Sequence, residues 1–82
     1  MNVAFYIDEM NLRGVAKSSY EYAINNKKIL KNKLIFFYNL KNFRNLSEVI
    51  KKFKKEFKTI GVLNFKEIDK FKKKLSIEYL YV

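Results

Sequence analysis

Four short apolar runs alternate with three longer amphipathic segments along this chain. Because runs of about four to eight apolar residues are typical of strands buried on both faces, the apolar runs predict four β-strands. They cover residues 3–7, 34–38, 59–62 and 77–82. In the segments between them, apolar residues recur at three- and four-residue intervals, as one face of a helix requires. The predicted order is therefore β-α-β-α-β-α-β.

The second and third predicted helices have the clearest patterns. Their apolar stripes are Leu46, Val49, Ile50, Phe53 and Phe57 in one helix and Phe65, Ile68, Phe71 and Leu75 in the other. Asn45 with Glu48, and Asn64 with Glu67, have the spacing of a capping box, in which each side chain hydrogen-bonds the backbone of the other residue. The first helix is predicted over residues 15–28, with a weaker stripe.

Alternating strands and helices predict an α/β protein with right-handed crossovers. We expect a Rossmann-like, three-layer fold, in which three helices cover a four-stranded parallel sheet of order 3-2-1-4. Residues 1–82 are interpreted as one partial Rossmann-like domain. Its fourth strand would be an edge strand with Glu78 as its only charge, so pairing of residues 78–82 between two copies is expected to give a homodimer.

The composition excludes several kinds of catalytic site. The chain has no cysteine and no histidine, which excludes disulfides, Cys/His zinc sites and triads built on histidine. No catalytic residue, cofactor or metal site is predicted. Since no apolar run reaches the roughly 20 residues of a membrane-spanning helix, and no signal peptide is recognisable, we expect a cytoplasmic protein.

Lysine dominates the charge of the chain. The 18 basic residues, 16 of them lysines, exceed the 8 acidic residues and give a net charge of +10. This excess favours a polyanion as partner, either nucleic acid or an anionic membrane surface. An A/T-rich coding sequence would also produce it, and readers of nucleic acid favour arginine over lysine. The lysines of the second and third helices are thus either a solvated face or an electrostatic patch.

The loop after the first strand is the principal candidate site. In open α/β sheets, ligands bind at the carboxyl ends of the strands where the strand order reverses, and the first strand has that position here. Asn11 offers a hydrogen-bond donor and an acceptor, and Arg13 offers a planar cation. Gly14 would let a ligand approach the backbone closely. The alternative is that Gly14 only makes the turn and Arg13 points into solvent.

The same loop resembles part of a known group of enzymes. Residues 5–16 are Phe-Tyr-Ile-Asp-Glu-Met-Asn-Leu-Arg-Gly-Val-Ala, followed by Tyr-Glu-Tyr-Ala at 20–23 and by Tyr38-Asn39. This sequence resembles the start of a group of GT-B-type glycosyltransferases, whose first strand leads into an Asn-x-Arg-Gly loop. In those enzymes a second strand ends in Tyr-Asn.

The resemblance implies an N-terminal, acceptor-side domain with a Rossmann-like fold. Asn11, Arg13 and Gly14 would line the cleft that faces a donor-binding domain. In a full-length context the partners would be a nucleotide-sugar or a glycan acceptor. Because the donor-binding domain is not among these 82 residues, the chain alone is expected to be inactive, and its status as an enzyme stays open.

A different resemblance concerns Asp8 and Asn11. The sequence Ile-Asp-x-x-Asn-Leu is similar to the start of PIN-like ribonucleases, which hold Mg²⁺ or Mn²⁺ with several carboxylates at strand ends. The other predicted strands end without an acidic residue, so the required cluster is missing. The alternative is that Asp8 serves only as a hydrogen-bonding residue of the loop.

Overall fold

Residues 2–82 are described by a computed structural model, in which four parallel strands form one sheet. The strands are β1 (Asn2–Ile7), β2 (Leu34–Asn39), β3 (Lys58–Val62) and β4 (Ile77–Tyr81), and the helices are α1 (Gly14–Asn25), α2 (Lys27–Leu30), α3 (Ser47–Glu56) and α4 (Glu67–Lys74). The sheet order is β3-β2-β1-β4 and every pair is parallel. The predicted α/β class and strand order are confirmed, and the architecture is compatible with a Rossmann-like fold.

The two faces of the sheet are covered by different helices. Phe36 on β2 packs in one cluster with residues of α1 and α3, whereas its neighbour Phe37 packs in a second cluster with Ile68 of α4. Successive strand residues point to opposite faces, so these clusters lie on opposite sides. The right-handed connections from β1 to β2 and from β2 to β3 run in one direction across the sheet, so α1 and α3 lie on the same face. The connection from β3 to β4 runs in the opposite direction, so α4 lies on the other face.

Aromatic rings fill the core between α3 and the sheet. The ring of Phe53 meets that of Phe36 edge to face with centroids 4.8 Å apart, and it meets that of Tyr20 at 5.0 Å. Phe36 and Phe53 are buried almost completely. Burying such a side chain contributes about 1.5–3 kcal/mol, and an aromatic pair adds about 0.5–1.5 kcal/mol. In a domain of this size, this cluster supplies a large part of the stability.

The helix predicted over residues 15–28 is divided in two. Asn26 leaves the helical conformation with φ −116° and ψ 23°, and its side-chain amide donates to the carbonyl of Tyr22 at 2.8 Å. Such a bond back to the preceding turn competes with helix continuation. The single turn α2 follows, so the structure has four helices where three were predicted.

One of the two predicted capping boxes is wrong. Helix α3 begins at Ser47 after Leu46, which makes no capping hydrogen bond, and Asn45 points elsewhere. The other Asn–Glu pair forms only half of its box before α4, because the Glu67 carboxylate bonds the backbone of Leu63 rather than that of Asn64. The backbone N–H of Glu67 donates to Asn64 at 3.3 Å, and the Glu67 carboxylate accepts from the backbone of Leu63 at 3.1 Å.

Strand β4 forms one edge of the sheet. It pairs with β1 alone among the strands of residues 2–82. Tyr79 and Tyr81 are more than half exposed, although the Tyr81 ring also packs edge to face on Phe5 with centroids 5.3 Å apart. The structure therefore leaves an apolar edge open, as the sequence predicts, and the expected homodimer stays a prediction.

Candidate ligand-binding site at the end of strand β1

An open hollow of about 1090 Å³ lies at the carboxyl end of β1. Asn11, Arg13 and Gly14, the three residues predicted from the sequence, all line it. We call it the β1 hollow; its other lining residues are Tyr6, Asp8, Glu9, Leu12, Val15, Phe43, Arg44, Leu46 and Val82. Because β1 lies between β2 and β4, the hollow is at the reversal of strand order where α/β sheets bind ligands.

Gly14 is required by the backbone at the start of α1. Its φ of +68° is in the left-handed region, and nothing lies within 4 Å of the position that a Cβ atom would occupy. The space is open, so conformation alone favours glycine here. The residue before it, Arg13, is extended and makes no side-chain cap. Backbone N–H groups of the first turn of α1 are consequently left without helical partners.

Asn11 shapes the loop through both ends of its side-chain amide. Its Oδ1 accepts from the backbone N–H of Arg13 at 3.1 Å, which makes a local turn. Its Nδ2 donates to the Glu9 carboxylate at 3.1 Å. Since both polar atoms of Asn11 are engaged, its contribution to the site is to position Arg13 and Glu9.

Both arginines of the chain line the β1 hollow, whereas none of its 16 lysines does. Arg44 donates from Nη1 to the Glu9 carboxylate at 3.1 Å and lies 5.6 Å from the ring centroid of Phe43. Within residues 2–82 the Arg13 guanidinium has neither a side-chain hydrogen bond nor an ion pair. A guanidinium can bind a carboxylate or phosphate through two parallel hydrogen bonds. Arg13 is therefore positioned to receive such a group.

Asp8 joins the end of β1 to the loop that follows β2. Its Oδ1 accepts from Asn39 Nδ2 at 3.0 Å, and its backbone carbonyl accepts from Asn42 Nδ2 at 3.0 Å. This is the loop hydrogen-bonding role that was the alternative for Asp8. Residues 2–82 contain no group of three or more acidic residues that could hold a metal ion, so the structure assembles no carboxylate cluster around Asp8.

Asn45 and Met10 connect the same two loops more deeply. Asn45 Oδ1 accepts from the backbone N–H of Met10 at 2.9 Å, and its Nδ2 donates to the carbonyl of Asn39 at 2.7 Å. Met10 is fully buried, and its carbonyl accepts from the backbone of Leu46 at 2.8 Å. Sequence reasoning missed both residues, although the density of asparagines between 39 and 45 was a usable signal.

Apolar side chains form much of the rim of the β1 hollow. Leu12, Val15, Phe43 and Val82 are all more than 60% exposed there.

The polar side chains of the β1 hollow include Tyr6. Burial and then the nearby Asp8 carboxylate raise the pKa of Tyr6, so its hydroxyl stays protonated. The site thus combines guanidinium groups with apolar surface. Both lining carboxylates, on Asp8 and Glu9, accept hydrogen bonds from asparagine side chains.

The lysines along the outward sides of the two long basic helices face in different directions. Helices α3 and α4 pack on opposite faces of the sheet. A flat partner laid against one face of the sheet can contact the lysines along only one of these helices. The two helices come to a common surface only where their last turns lie, at the amino ends of the strands.

Fold and site together define an α/β protein with a parallel four-stranded sheet and a candidate ligand site at its strand-order reversal. No protein-family model, curated protein or solved structure matches this chain in the comparisons. The glycosyltransferase resemblance consequently stays an expectation. None of the helices in residues 2–82 has the length and apolar character needed to cross a membrane.

Proposed function

We propose that this chain is a ligand-binding domain whose β1 hollow takes a small molecule with an anionic group. The observation that carries the proposal is that both arginines line this hollow while all 16 lysines lie elsewhere. Arginine offers several hydrogen-bond donors in a fixed planar arrangement, whereas lysine offers a point charge on a flexible chain. A hollow lined by arginine and not by lysine is therefore suited to an anion bound in one orientation.

The ligand would have an apolar or ring face beside its anionic group. The exposed Phe43 and Leu12 give the rim an apolar surface, and the protonated Tyr6 hydroxyl supplies a further donor near Asp8. A sugar phosphate or an acidic sugar has this combination of a carbon face, hydroxyls and an anion. Arg13 would hold the anion, and Gly14 would leave the adjacent backbone accessible.

In line with the Asn-x-Arg-Gly resemblance, we propose that the domain acts as the acceptor-side half of a GT-B-type glycosyltransferase. It would bind the molecule to be glycosylated and would transfer sugar only together with a donor-binding domain. The parallel order β3-β2-β1-β4 and the position of Asn11, Arg13 and Gly14 at the end of β1 support this assignment.

Nuclear magnetic resonance titration of the backbone amides tests the proposal. We expect glucose 6-phosphate to shift the amides of residues 9–15 and 43–46. Arg13→Gln should weaken this binding about ten-fold, since hydrogen bonds to charged groups are worth about 1.5–3 kcal/mol. Lys51→Gln, which removes an exposed cation from α3, is the matched control and should leave the affinity unchanged.

Two results would contradict the proposal at different levels. If glucose 6-phosphate shifted only amides remote from the hollow, or if Arg13→Gln and Lys51→Gln bound it equally, the hollow would not be the site. If UDP-glucose bound at the hollow far more tightly than the sugar phosphate, the ligand site would stand, but the acceptor-side assignment would be wrong.

A further inference from the structure

The charge of this protein is concentrated at one end of the sheet. All strands are parallel, so the last turn of each connecting helix lies at the amino ends of the strands. Ten lysines lie at this end: Lys27, Lys28, Lys31, Lys33, Lys54, Lys55, Lys58, Lys72, Lys73 and Lys74. Glu56 and Glu78 are the acidic residues there, so ten positive and two negative charges leave a net charge of +8.

The carboxyl end of the sheet is nearly balanced by contrast. Its basic residues are Arg13, Lys17, Lys41, Arg44, Lys66 and Lys70, and its acidic residues are Asp8, Glu9, Glu48, Glu67 and Asp69. Six positive and five negative charges leave a net charge of +1. The protein therefore has a nearly neutral end that holds the β1 hollow and a strongly cationic end opposite to it.

Helix capping explains only part of this distribution. Lysines are favoured in the last turn of a helix by the partial negative charge of its C-terminus. Lys33 and Lys58 lie beyond the helices and their cap residues, so this effect does not account for them. Lys31, Lys54, Lys55 and Lys58 also surround a shallow hollow of about 430 Å³. These four lysines share one surface, and we call the end of the sheet that carries all ten the lysine end.

The neutralising contacts at the lysine end are few. Lys27 pairs with Glu56, and Lys72 pairs with Asp69 of the same helix at 3.3 Å. The hydrogen bond and charge of Lys27, together with the charges of Lys31 and Lys55, hold the pKa of Glu56 below its ordinary value. Glu56 is thus ionised at neutral pH and still leaves a large excess of cations. Such an excess attracts a dense array of negative charge.

The side chains at the lysine end fit a membrane surface better than a nucleic acid. The surface has no arginine, and no exposed aromatic side chain lines its hollow within residues 2–82, whereas base stacking and base-edge contacts use those residue types. Ile29, on α2 between Lys28 and Lys31, is 67% exposed. An apolar side chain surrounded by lysines is the arrangement with which peripheral proteins contact anionic lipid.

We propose that the lysine end docks on an anionic membrane surface, with Ile29 entering the headgroup region. In this orientation the β1 hollow faces away from the bilayer and stays open to solvent. The proposal is independent of what the β1 hollow binds, because the two surfaces lie at opposite ends of the strands.

Vesicle co-sedimentation tests the docking. The protein should bind phosphatidylcholine vesicles that contain phosphatidylglycerol, fail to bind pure phosphatidylcholine, and dissociate when the ionic strength is raised. Replacing Lys31, Lys54, Lys55 and Lys58 by Gln should weaken binding about 100-fold or more, since each lysine near an anionic surface contributes about five-fold and the four factors multiply. The matched control replaces Lys41, Lys51, Lys66 and Lys70 by Gln and should retain most of the affinity.

A fluorescence measurement tests the orientation. The chain has no tryptophan, so Ile29→Trp introduces a single reporter at the lysine end and Phe43→Trp introduces one at the opposite end. Anionic vesicles should shift the emission of the first variant to shorter wavelength and leave that of the second unchanged. Equal effects of the two four-lysine variants, or a shift of the Phe43→Trp emission alone, would overturn the proposal. So would binding of single-stranded RNA through the same four lysines without any binding to vesicles.

Discussion

Asn45 accepts a hydrogen bond from the backbone N–H of Met10 at 2.9 Å, although 35 positions separate the two residues in the chain. This bond joins the loop after β1 to the loop after β2. It satisfies the partly buried N–H of Met10, and the Asn45 bond to the carbonyl of Asn39 adds to the one that this carbonyl accepts from the backbone of Asn42. One side chain thereby sets the distance between two walls of the β1 hollow.

Replacing Asn45 by Ala should destabilise the protein by about 1–3 kcal/mol, because it leaves the backbone N–H of Met10 unsatisfied and removes one bond to the carbonyl of Asn39. Urea unfolding followed by circular dichroism measures the change. Asn32→Ala, at an exposed turn before β2, is the control and should stay within about 0.5 kcal/mol of the parent protein. Equal stability of the two variants would show that the Asn45 bonds do not support the fold.

Phe53→Ala should cost about 3–5 kcal/mol, because it removes the ring between Phe36 and Tyr20 and leaves a cavity. Total stabilities of small domains are about 5–15 kcal/mol, so the variant should be largely unfolded at modest urea concentrations. Phe43→Ala deletes the same side chain where it is 88% exposed and should leave the midpoint nearly unchanged. Similar midpoints for the two would contradict the described packing.

Gly14→Ala should lower the stability by about 1–2 kcal/mol through backbone strain alone, since φ is +68° and the added methyl group meets no atom. Gly14→Asn should cost less, because asparagine tolerates the left-handed conformation better. Thermal melts of the two variants measure the difference. If alanine were tolerated as well as asparagine, the positive φ would not be part of the folded state in solution.

The ion pair between Lys27 and Glu56 should make part of the stability dependent on pH. The hydrogen bond from Lys27 lowers the pKa of Glu56 against the opposing effect of burial. A carboxyl group with a lower pKa in the folded state stabilises the protein above its ordinary pKa, and this stabilisation is lost as the pH falls through the folded value. Urea midpoints measured between about pH 6 and pH 3 should therefore decline less steeply for Glu56→Gln.

A double-variant comparison separates this pair from other acidic groups. Lys27→Gln should flatten the acid decline in the same way as Glu56→Gln, and the double variant should add little to either change. Fully additive effects would mean that the two side chains act independently.

The open edge of β4 should permit pairing of two copies through residues 78–82. Tyr79→Lys places a charge on this exposed edge and should shift the protein towards monomer, because edge lysines oppose strand pairing. Sedimentation velocity at increasing concentration measures the distribution. A parent protein that stays monomeric at millimolar concentration would contradict the predicted dimer.

The sheet could be predicted from the sequence because its determinants are local. Four apolar runs predict four strands, and the requirement for right-handed crossovers leaves few possible strand orders. The order β3-β2-β1-β4 is one of them. The position of Arg13 and Gly14 at the end of β1 followed from that order. Phe65 is an exception, because it was assigned to the inward stripe but lies 44% exposed in the turn before α4, with its ring against Tyr6.

The walls of the hollow could not be predicted in the same way. Asn45 has the spacing of a helix cap, and only the three-dimensional proximity of Met10 gives it a different partner. Arg44 reaches the hollow from a loop that carries no periodic pattern, and Val82 reaches it from the end of the fourth apolar run, whose pattern does not show what that end contacts. The division of the first helix at Asn26 likewise depends on a side-chain bond that competes with a helical one.

The segregation of the two basic residue types has a chemical consequence. A dicarbonyl reagent that modifies guanidinium groups has targets only at Arg13 and Arg44, so on this protein it would label the β1 hollow. An ester that reacts with amines would instead label the lysine end most densely. Two ordinary bioconjugation chemistries could therefore attach different probes to the two ends without any engineered cysteine.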